Sequence, residues 1–324
     1  MSALKSNGLT SIELSIVIVN WNVCDLLRAC LNSVQQQMLL PSHLYEIIVI
    51  DNASTDQSVS MLRHDFAEVI LHESTENMGF AKGCNKGFEI ARGEFILLLN
   101  PDTLVVDHAI DVALTDIRSH SKTGVLGCRQ TNELGQFRRD AGGAFPTLGN
   151  VAWNYLFLGR LLPSRFAPKA HFLVGDPQGR QIVDWVSGAA MLVRRKATGD
   201  RLFDESFFMY GEDMAICDRI HNDGWEIAYT GAASVIHYLG KSFEQQSEAH
   251  ILQAIHKGPR AFFQKKNGRF AAFLFDFIML TGFFLRWVVF GLANVFRPGK
   301  GFGKLSTFSR RYVVITLRHL THWS

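Results

Sequence analysis

Four short apolar runs in the first hundred residues constrain this chain more than any other feature: Leu14-Ser-Ile-Val-Ile-Val-Asn20, Tyr45-Glu-Ile-Ile-Val-Ile-Asp51, residues 69–72 and Phe95-Ile-Leu-Leu-Leu99. Between them lie stretches with helical spacing. Strands covered on both faces read as nearly unbroken apolar runs, and their alternation with helices is the rhythm of a parallel α/β sheet. The pattern predicts a helix over 24–38, and Ser54 and Gln57 stand at capping-box spacing to open the next one. A helix over 80–92 is expected to stop at Gly93 in a left-handed cap, and this half of the fold to end near Cys128.

Beyond it, residues 129–182 are rich in Gly, Pro and aromatics without a period, which reads as long connections or an acceptor-side insertion. Order returns at Val183-Asp-Trp-Val-Ser-Gly-Ala-Ala-Met-Leu-Val193. A helix from Glu212 to Asn222, stopped by Gly224, and two short strands, through Ile227 and over 235–237, complete the body.

Polar residues close three of the runs: Asn20 with Asn22, Asp51 with Asn52, and Asn100 with Asp102. Ligands of open parallel sheets bind beyond the carboxyl ends of the strands, so three strands deliver polar groups to the edge where binding occurs. Each alone is an ordinary strand terminator. Asp102 leaves a buried strand directly, as a carboxylate holding Mg²⁺ or Mn²⁺ against a diphosphate would. Asn77-Met-Gly-Phe-Ala-Lys-Gly-Cys-Asn-Lys-Gly87 puts glycines at a helix start, where a backbone approaches an anion closely; tight helix-to-sheet packing explains it equally well.

In order, Ser15-Ile-Val-Ile-Val-Asn-Trp-Asn22, Glu46-Ile-Ile-Val-Ile-Asp-Asn-Ala-Ser-Thr-Asp56, Asn77-Met-Gly-Phe-Ala-Lys-Gly-Cys-Asn85, Leu98-Leu-Asn-Pro-Asp102, Trp185-Val-Ser-Gly-Ala189, Phe208-Met-Tyr-Gly-Glu-Asp213 and Ile236-His237 resemble glycosyltransferase family 2, and its rhamnosyltransferase branch in particular. The resemblance covers residues 14–241 and implies an inverting enzyme of GT-A fold, an α/β architecture with a mostly parallel sheet. It implies a catalytic domain over 1–243, with a nucleotide half over 12–128 and an acceptor half over 129–243. Asp51 matches the acid that binds the pyrimidine, with Asn20, Asn22 and Asn52 around it. Asn77, Gly79 and Asn85 match the loop over the donor, and Asn100 and Asp102 the Asp-x-Asp metal motif with Asn in first position. Trp185 and Gly188 match the acceptor side, and His237 a histidine completing the site of a divalent cation. Asp213 matches the base, with Glu212 beside it. The implied donor is dTDP-rhamnose or a UDP-sugar, and the acceptor a glycan or polyprenyl-linked glycan of bacterial surface polysaccharide. A nucleotidyltransferase would need a basic phosphate signature and a second metal acid, neither of which is evident. A catalytically silent scaffold is opposed by the presence of Asp213.

Charge separates the remainder. From Arg260 onward there are eleven Lys or Arg and one acid, Asp276, a balance of +10 that leaves −7 on the preceding body. A basic, Phe-rich tail over 244–324 suits an anionic membrane surface rather than nucleic acid. Residues 270–296 could cross a bilayer by length, but Asp276 and Arg286 would each cost roughly 2.5–3.5 kcal/mol at its centre, and basic residues flank both ends. The sequence therefore favours a helix or helical hairpin lying in the cytoplasmic leaflet of the inner membrane over a single span, and leaves a soluble helical subdomain or dimer interface as the third reading. Five cysteines without metal spacing predict reduced thiols, and the apolar run over 14–19 is too short for a signal peptide.

Overall fold

The computed structural model describes residues 12–207, 210–238, 248–298 and 301–321. Its strands and helices run β1 (Leu14–Asn20), α1 (Cys24–Gln37), β2 (Tyr45–Asp51), α2 (Ser58–Asp65), β3 (Ile70–Glu73), α3 (Phe80–Ile90), β4 (Phe95–Leu99), β5 (Thr103–Val105), α4 (Ala109–Ser119) and β6 (Thr123–Thr131). They continue with β7 (Gly142–Gly143), α5 (Leu148–Tyr155), α6 (Leu158–Leu161), β8 (Arg180–Ile182), β9 (Trp185–Val186), β10 (Ala190–Arg194), α7 (Glu212–Asn222), β11 (Glu226–His237), α8 (Glu248–Phe296) and α9 (Phe302–Thr321).

The main sheet has the order β3-β2-β1-β4-β10-β6-β11-β5, with β8 added to β11. The first four strands are parallel, β10 enters antiparallel between β4 and β6, and β6 and β11 run parallel. Alternate residues of one strand serve two cores. Ile16 and Ile18 pack with Leu27 and Leu31 of α1, while Val17 and Val19 pack with Ala81 and Phe88 of α3. Burial on both sides is why these runs are continuously apolar.

Close approach explains the glycines of α3. A Cβ at Gly87 would lie 2.3 Å from Val17 Cγ1, and one at Gly83 2.8 Å from the same atom of Val19. They seat the helix on β1, so the packing explanation holds for them. Gly93 is not a left-handed cap: α3 ends at Ile90, and a Cβ at Gly93 would meet Ser15 N at 2.6 Å and Phe95 O at 2.8 Å. The capping box is also corrected. Helix α2 starts at Ser58, where Asp56 accepts from the Ser58 N–H, and the Ser54 hydroxyl instead accepts from Asn20 and from the Asn22 N–H. The two expected terminal strands are one, β11, with an irregularity between Thr230 and Ser234 that lets it pair first along β6 and then with β5.

The tail is built onto the body. Phe262 of α8 joins the core that holds β1 and α7, its ring packs on Phe145, and Lys265 and Lys266 pair with Asp204 and Asp218. Helix α8 breaks at Gly268 (φ +84°), and its second part packs against α5 and α9 around Phe275, Met279, Phe283 and Tyr312. Asp276 is 2% exposed and accepts from Arg260 Nε at 2.8 Å, with His256 Nε2 at 3.0 Å. Arg286 donates to the carbonyls of Asn154 and Tyr155 at the end of α5. Both charges are therefore satisfied by protein partners, although aromatic side chains surround them. The expected helix start at Glu244 and the end of the family resemblance at Lys241 lie outside the described residues.

Candidate active site

Parallel register sets Asn20 opposite Asp51 at the ends of β1 and β2. Asn20 Nδ2 donates to Asp51 Oδ1 at 2.9 Å, and Asp51 Oδ2 accepts from the Ser54 N–H at 2.8 Å. Asn22, in the left-handed region at φ +54°, turns the chain away and accepts from the Thr55 N–H. Asn52 Nδ2 holds the Gly79 carbonyl at 3.0 Å, and Asn77 accepts from the Gly79 N–H. Gly79 needs its freedom, with φ +81°. The β1, β2 and 77–79 positions are thus tied into one wall. In it, Asn20 Oδ1 and Asn52 Oδ1 are buried without a hydrogen-bond partner among the described residues. Buried acceptors left open in this way are uncommon and suit a donor-bearing ligand.

Asn85 faces elsewhere. Its amide donates to the Phe203 carbonyl and accepts from the Phe203 N–H, fastening α3 to the 203–205 loop, away from the wall built by Asn20, Asp51 and Asn52.

The second wall assembles Asp102, His237 and Gln130 because β11 pairs with β5 on one side and β6 on the other. His237 Nε2 lies 3.2 Å from Asp102 Oδ1 and 3.5 Å from Asn100 Nδ2. Gln130 Oε1, 3.1 Å from Nδ1, holds the ring with Nε2 toward the carboxylate. A carboxylate and an imidazole, both metal-ligating groups, stand 3.2 Å apart, and no group of three or more His, Cys, Asp or Glu lies together among the described residues. A divalent ion here would therefore take one carboxylate, one imidazole and oxygens of its ligand. Gln130 was not anticipated; only its position opposite Val235 in the β6–β11 pairing reveals it.

The third wall is the start of α7. Glu212 and Asp213 occupy its first turn, after Gly211 at φ +96°. Acids are stabilised at a helix N-terminus, yet burial pushes both carboxyls above the ordinary range, and Asp213 raises Glu212 further. Glu212 Oε2 has no partner among the described residues, while Asp213 accepts from the N–H groups of Met214 and Gly188.

Gly188 joins the walls. A Cβ there would touch the Phe80 ring at 3.3 Å and Asp213 Cβ at 4.0 Å, and the next residue, Ala189, accepts from the Asn100 N–H at 2.9 Å. The 187–189 turn thus sets Asp213 beside the loop that carries Asp102. Tyr210 lies among them: burial, then the fields of Glu212, Asp102, Asp213 and Asp140, push its hydroxyl upward. Trp185 does not line this space. It is buried, and its Nε1 donates to the carbonyls of Ala144 and His171, which supports the wall from behind. Of the Phe208-to-Asp213 motif, Phe208 and Met209 lie outside the described residues.

A parallel half-sheet with polar strand ends, joined to a mixed half that carries the acids, is the GT-A fold of nucleotide-sugar transferases. The chain belongs to glycosyl transferase family 2, which it matches over residues 15–196, and it is a glycosyltransferase. It is 26% identical over 250 residues to N-acetylglucosaminyl-diphospho-decaprenol L-rhamnosyltransferase of Mycobacterium tuberculosis, covering 68% of this chain and 75% of that one. It is also 26% identical over 203 residues to a rhamnosyltransferase of Escherichia coli, covering 60% and 73%. Among solved structures, the mannosyltransferase of Pyrobaculum calidifontis in complex with GDP-Man and Mn²⁺ superposes with a TM-score of 0.56, at 13% identity over 98% of this chain and 91% of that one. These relatives put the chain among the enzymes of glycan biosynthesis.

Proposed function

We propose that the chain transfers a sugar, with inversion, from a nucleoside diphosphate donor to a hydroxyl of a lipid-linked glycan at the cytoplasmic face of the inner membrane. The observation that carries this reading is the 187–189 turn, which sets Asp213 beside the Asp102 loop. A base and a diphosphate-side acid flank one space, as a single displacement requires. The two rhamnosyltransferases among its relatives favour dTDP-rhamnose as donor, with a UDP-sugar as the alternative. The name of the mycobacterial relative, a diphospho-decaprenol enzyme, favours a polyprenyl-linked acceptor.

In this mechanism Asn20, Asp51 and Asn52 hold the base, and the 77–79 loop closes over the donor. Asp102 and His237 would hold a divalent cation, Mg²⁺ or Mn²⁺, which when bound offsets the charge of the leaving diphosphate. Asp213, whose carboxylate accepts from the N–H groups of Met214 and Gly188, accepts the proton of the acceptor hydroxyl. The hydroxyl oxygen bonds to the anomeric carbon as the bond from that carbon to the diphosphate oxygen breaks on the opposite face.

The tail supports attachment along the membrane. Residues 258–296 are long and apolar enough to cross a bilayer, yet one side of that helix packs on α5 and α9 and the other exposes Phe273, Phe277 and Phe284. A crossing would carry α5, with Asn150 and Asn154, into hydrocarbon. Lying in the interface suits this two-sided helix. Thermal stabilisation by a panel of nucleotide sugars, with and without Mn²⁺, tests the proposal. Stabilisation by dTDP-rhamnose or a UDP-sugar that grows with Mn²⁺ is expected; indifference to every nucleotide sugar contradicts it.

A further inference from the structure

The sequence assigns membrane contact to the tail alone, but the irregular insertion has its own exposed apolar group. Residues 159–167 are exposed throughout, including Leu161 at 75%, Leu162 at 45% and Phe166 at 60%. Such a cluster on a soluble face is unusual unless something covers it. Its position is fixed by the tail: Arg286 holds the last carbonyls of α5 and stacks over the Phe157 ring at 4.6 Å. On α8, the neighbours of Arg286 are the exposed Phe284 and Leu285, followed by Val288 and Val289. Arg286 thus ties the chain at Phe157, just before the exposed segment, to the stretch of α8 that carries these residues.

Charge identifies the occupant. Residues 141–175 contain Arg160, Arg165 and Lys169 and no acid, and the tail carries +10 from Arg260 onward. A second copy would bring the same positive face and be repelled, whereas anionic lipid is attracted, at about 1 kcal/mol per basic residue near the surface. The body, at −7, is repelled by that lipid, which orients the enzyme. The segment also leads to the catalytic cleft. Just past it, Leu173 donates to the carbonyls of Arg139 and Gly142, beside Asp140, whose charge acts on Tyr210.

Resting on the membrane reading of the tail, we propose that residues 157–167 form a second lipid-inserting element, continuous with the outer face of α8, which sets the acceptor side of the cleft on an anionic bilayer. Lipid-linked acceptors then enter from the membrane plane.

The test attaches an environment-sensitive fluorophore at Leu162→Cys or Phe277→Cys in a Cys24→Ser full-length chain, the other four cysteines being buried. Vesicles of phosphatidylglycerol with phosphatidylcholine should shift both labels to the blue, and pure phosphatidylcholine should shift them much less. If only the label at 277 responds, the second element is refuted and the tail reading stands. If neither responds, the membrane reading itself fails. A shift of the label at 162 on raising protein concentration without vesicles would assign the surface to a second copy and overturn the proposal. A Leu161→Ser/Leu162→Ser/Phe166→Ser variant should bind anionic vesicles roughly tenfold or more weakly, since each exchange removes an exposed apolar side chain that would enter the lipid. It should also lose turnover on a polyprenyl-linked acceptor while keeping that on a short water-soluble analogue. Equal loss on both acceptors contradicts a role in membrane delivery.

Discussion

Gly258 offers a direct way to perturb the base from the tail. A Cβ at this position would lie 2.2 Å from the Tyr210 carbonyl oxygen and 2.5 Å from its carbon, while Gly211 in turn abuts the Gly258 carbonyl. Ordinary contact begins near 3.4 Å, so Gly258→Ala is short of room by about 1.2 Å against main chain, which cannot rotate aside. The 210–211 loop must shift by about that distance, and Glu212 and Asp213 follow it directly. A displacement of about 1 Å at a reacting group costs on the order of 10²-fold in rate, or about 2.7 kcal/mol. The assay is kcat for sugar transfer, with donor affinity and thermal midpoint measured on the same preparations. Donor affinity should hold within about threefold, because the Asn20–Asp51 wall is untouched. Gly179→Ala, which meets nothing within 4 Å, is the control. A folded Gly258→Ala enzyme with kcat within about twofold of the parent would refute a link from the Gly258–Tyr210 contact to the start of α7.

Three further outcomes follow from the same geometry. Asp102→Ala should abolish the part of donor binding that depends on Mg²⁺ or Mn²⁺, read by titration; an unchanged metal titration contradicts the cation site. Because burial raises the Asp213 carboxyl and a base works deprotonated, kcat should fall on acidification at a pH above the ordinary aspartate value of about 3.9; a profile flat down to pH 4 contradicts the assignment. Asp276→Ala strands Arg260 and His256 among Phe263, Phe275 and Tyr312, and should cost about 3–5 kcal/mol in urea denaturation; a loss under about 1 kcal/mol contradicts the role of this cluster.

The parallel half was legible because its strands are buried on both faces and therefore announce themselves as apolar runs; β1, β2 and β4 begin and end where the pattern sets them. Local signals were less reliable where a tertiary partner intervened. Ser54 looks like a helix cap until Asn20 and Asn22 compete for its hydroxyl, and Gly93 looks like a helix stop until Ser15 passes within reach. Candidate residues that close a strand, follow one in a loop or open a helix, such as Asp51, Asp102 and Asp213, stood out by position. Gln130, Tyr210 and Gly258 did not, because each acts through a neighbour distant in sequence. Asp276 shows the same limit. Charge within an apolar run reads as a cost in lipid, and only the fold reveals that Arg260 and His256 hold it inside the protein.

The role proposed for Asp213 is to take the acceptor proton beside a donor site it does not build. Single-turnover transfer by Asp213→Asn, with donor affinity measured in parallel, tests it most directly. The expected result is a loss of roughly 10²–10⁴-fold in the transfer step with donor affinity unchanged. Transfer by the variant at more than a tenth of the parent rate would contradict it.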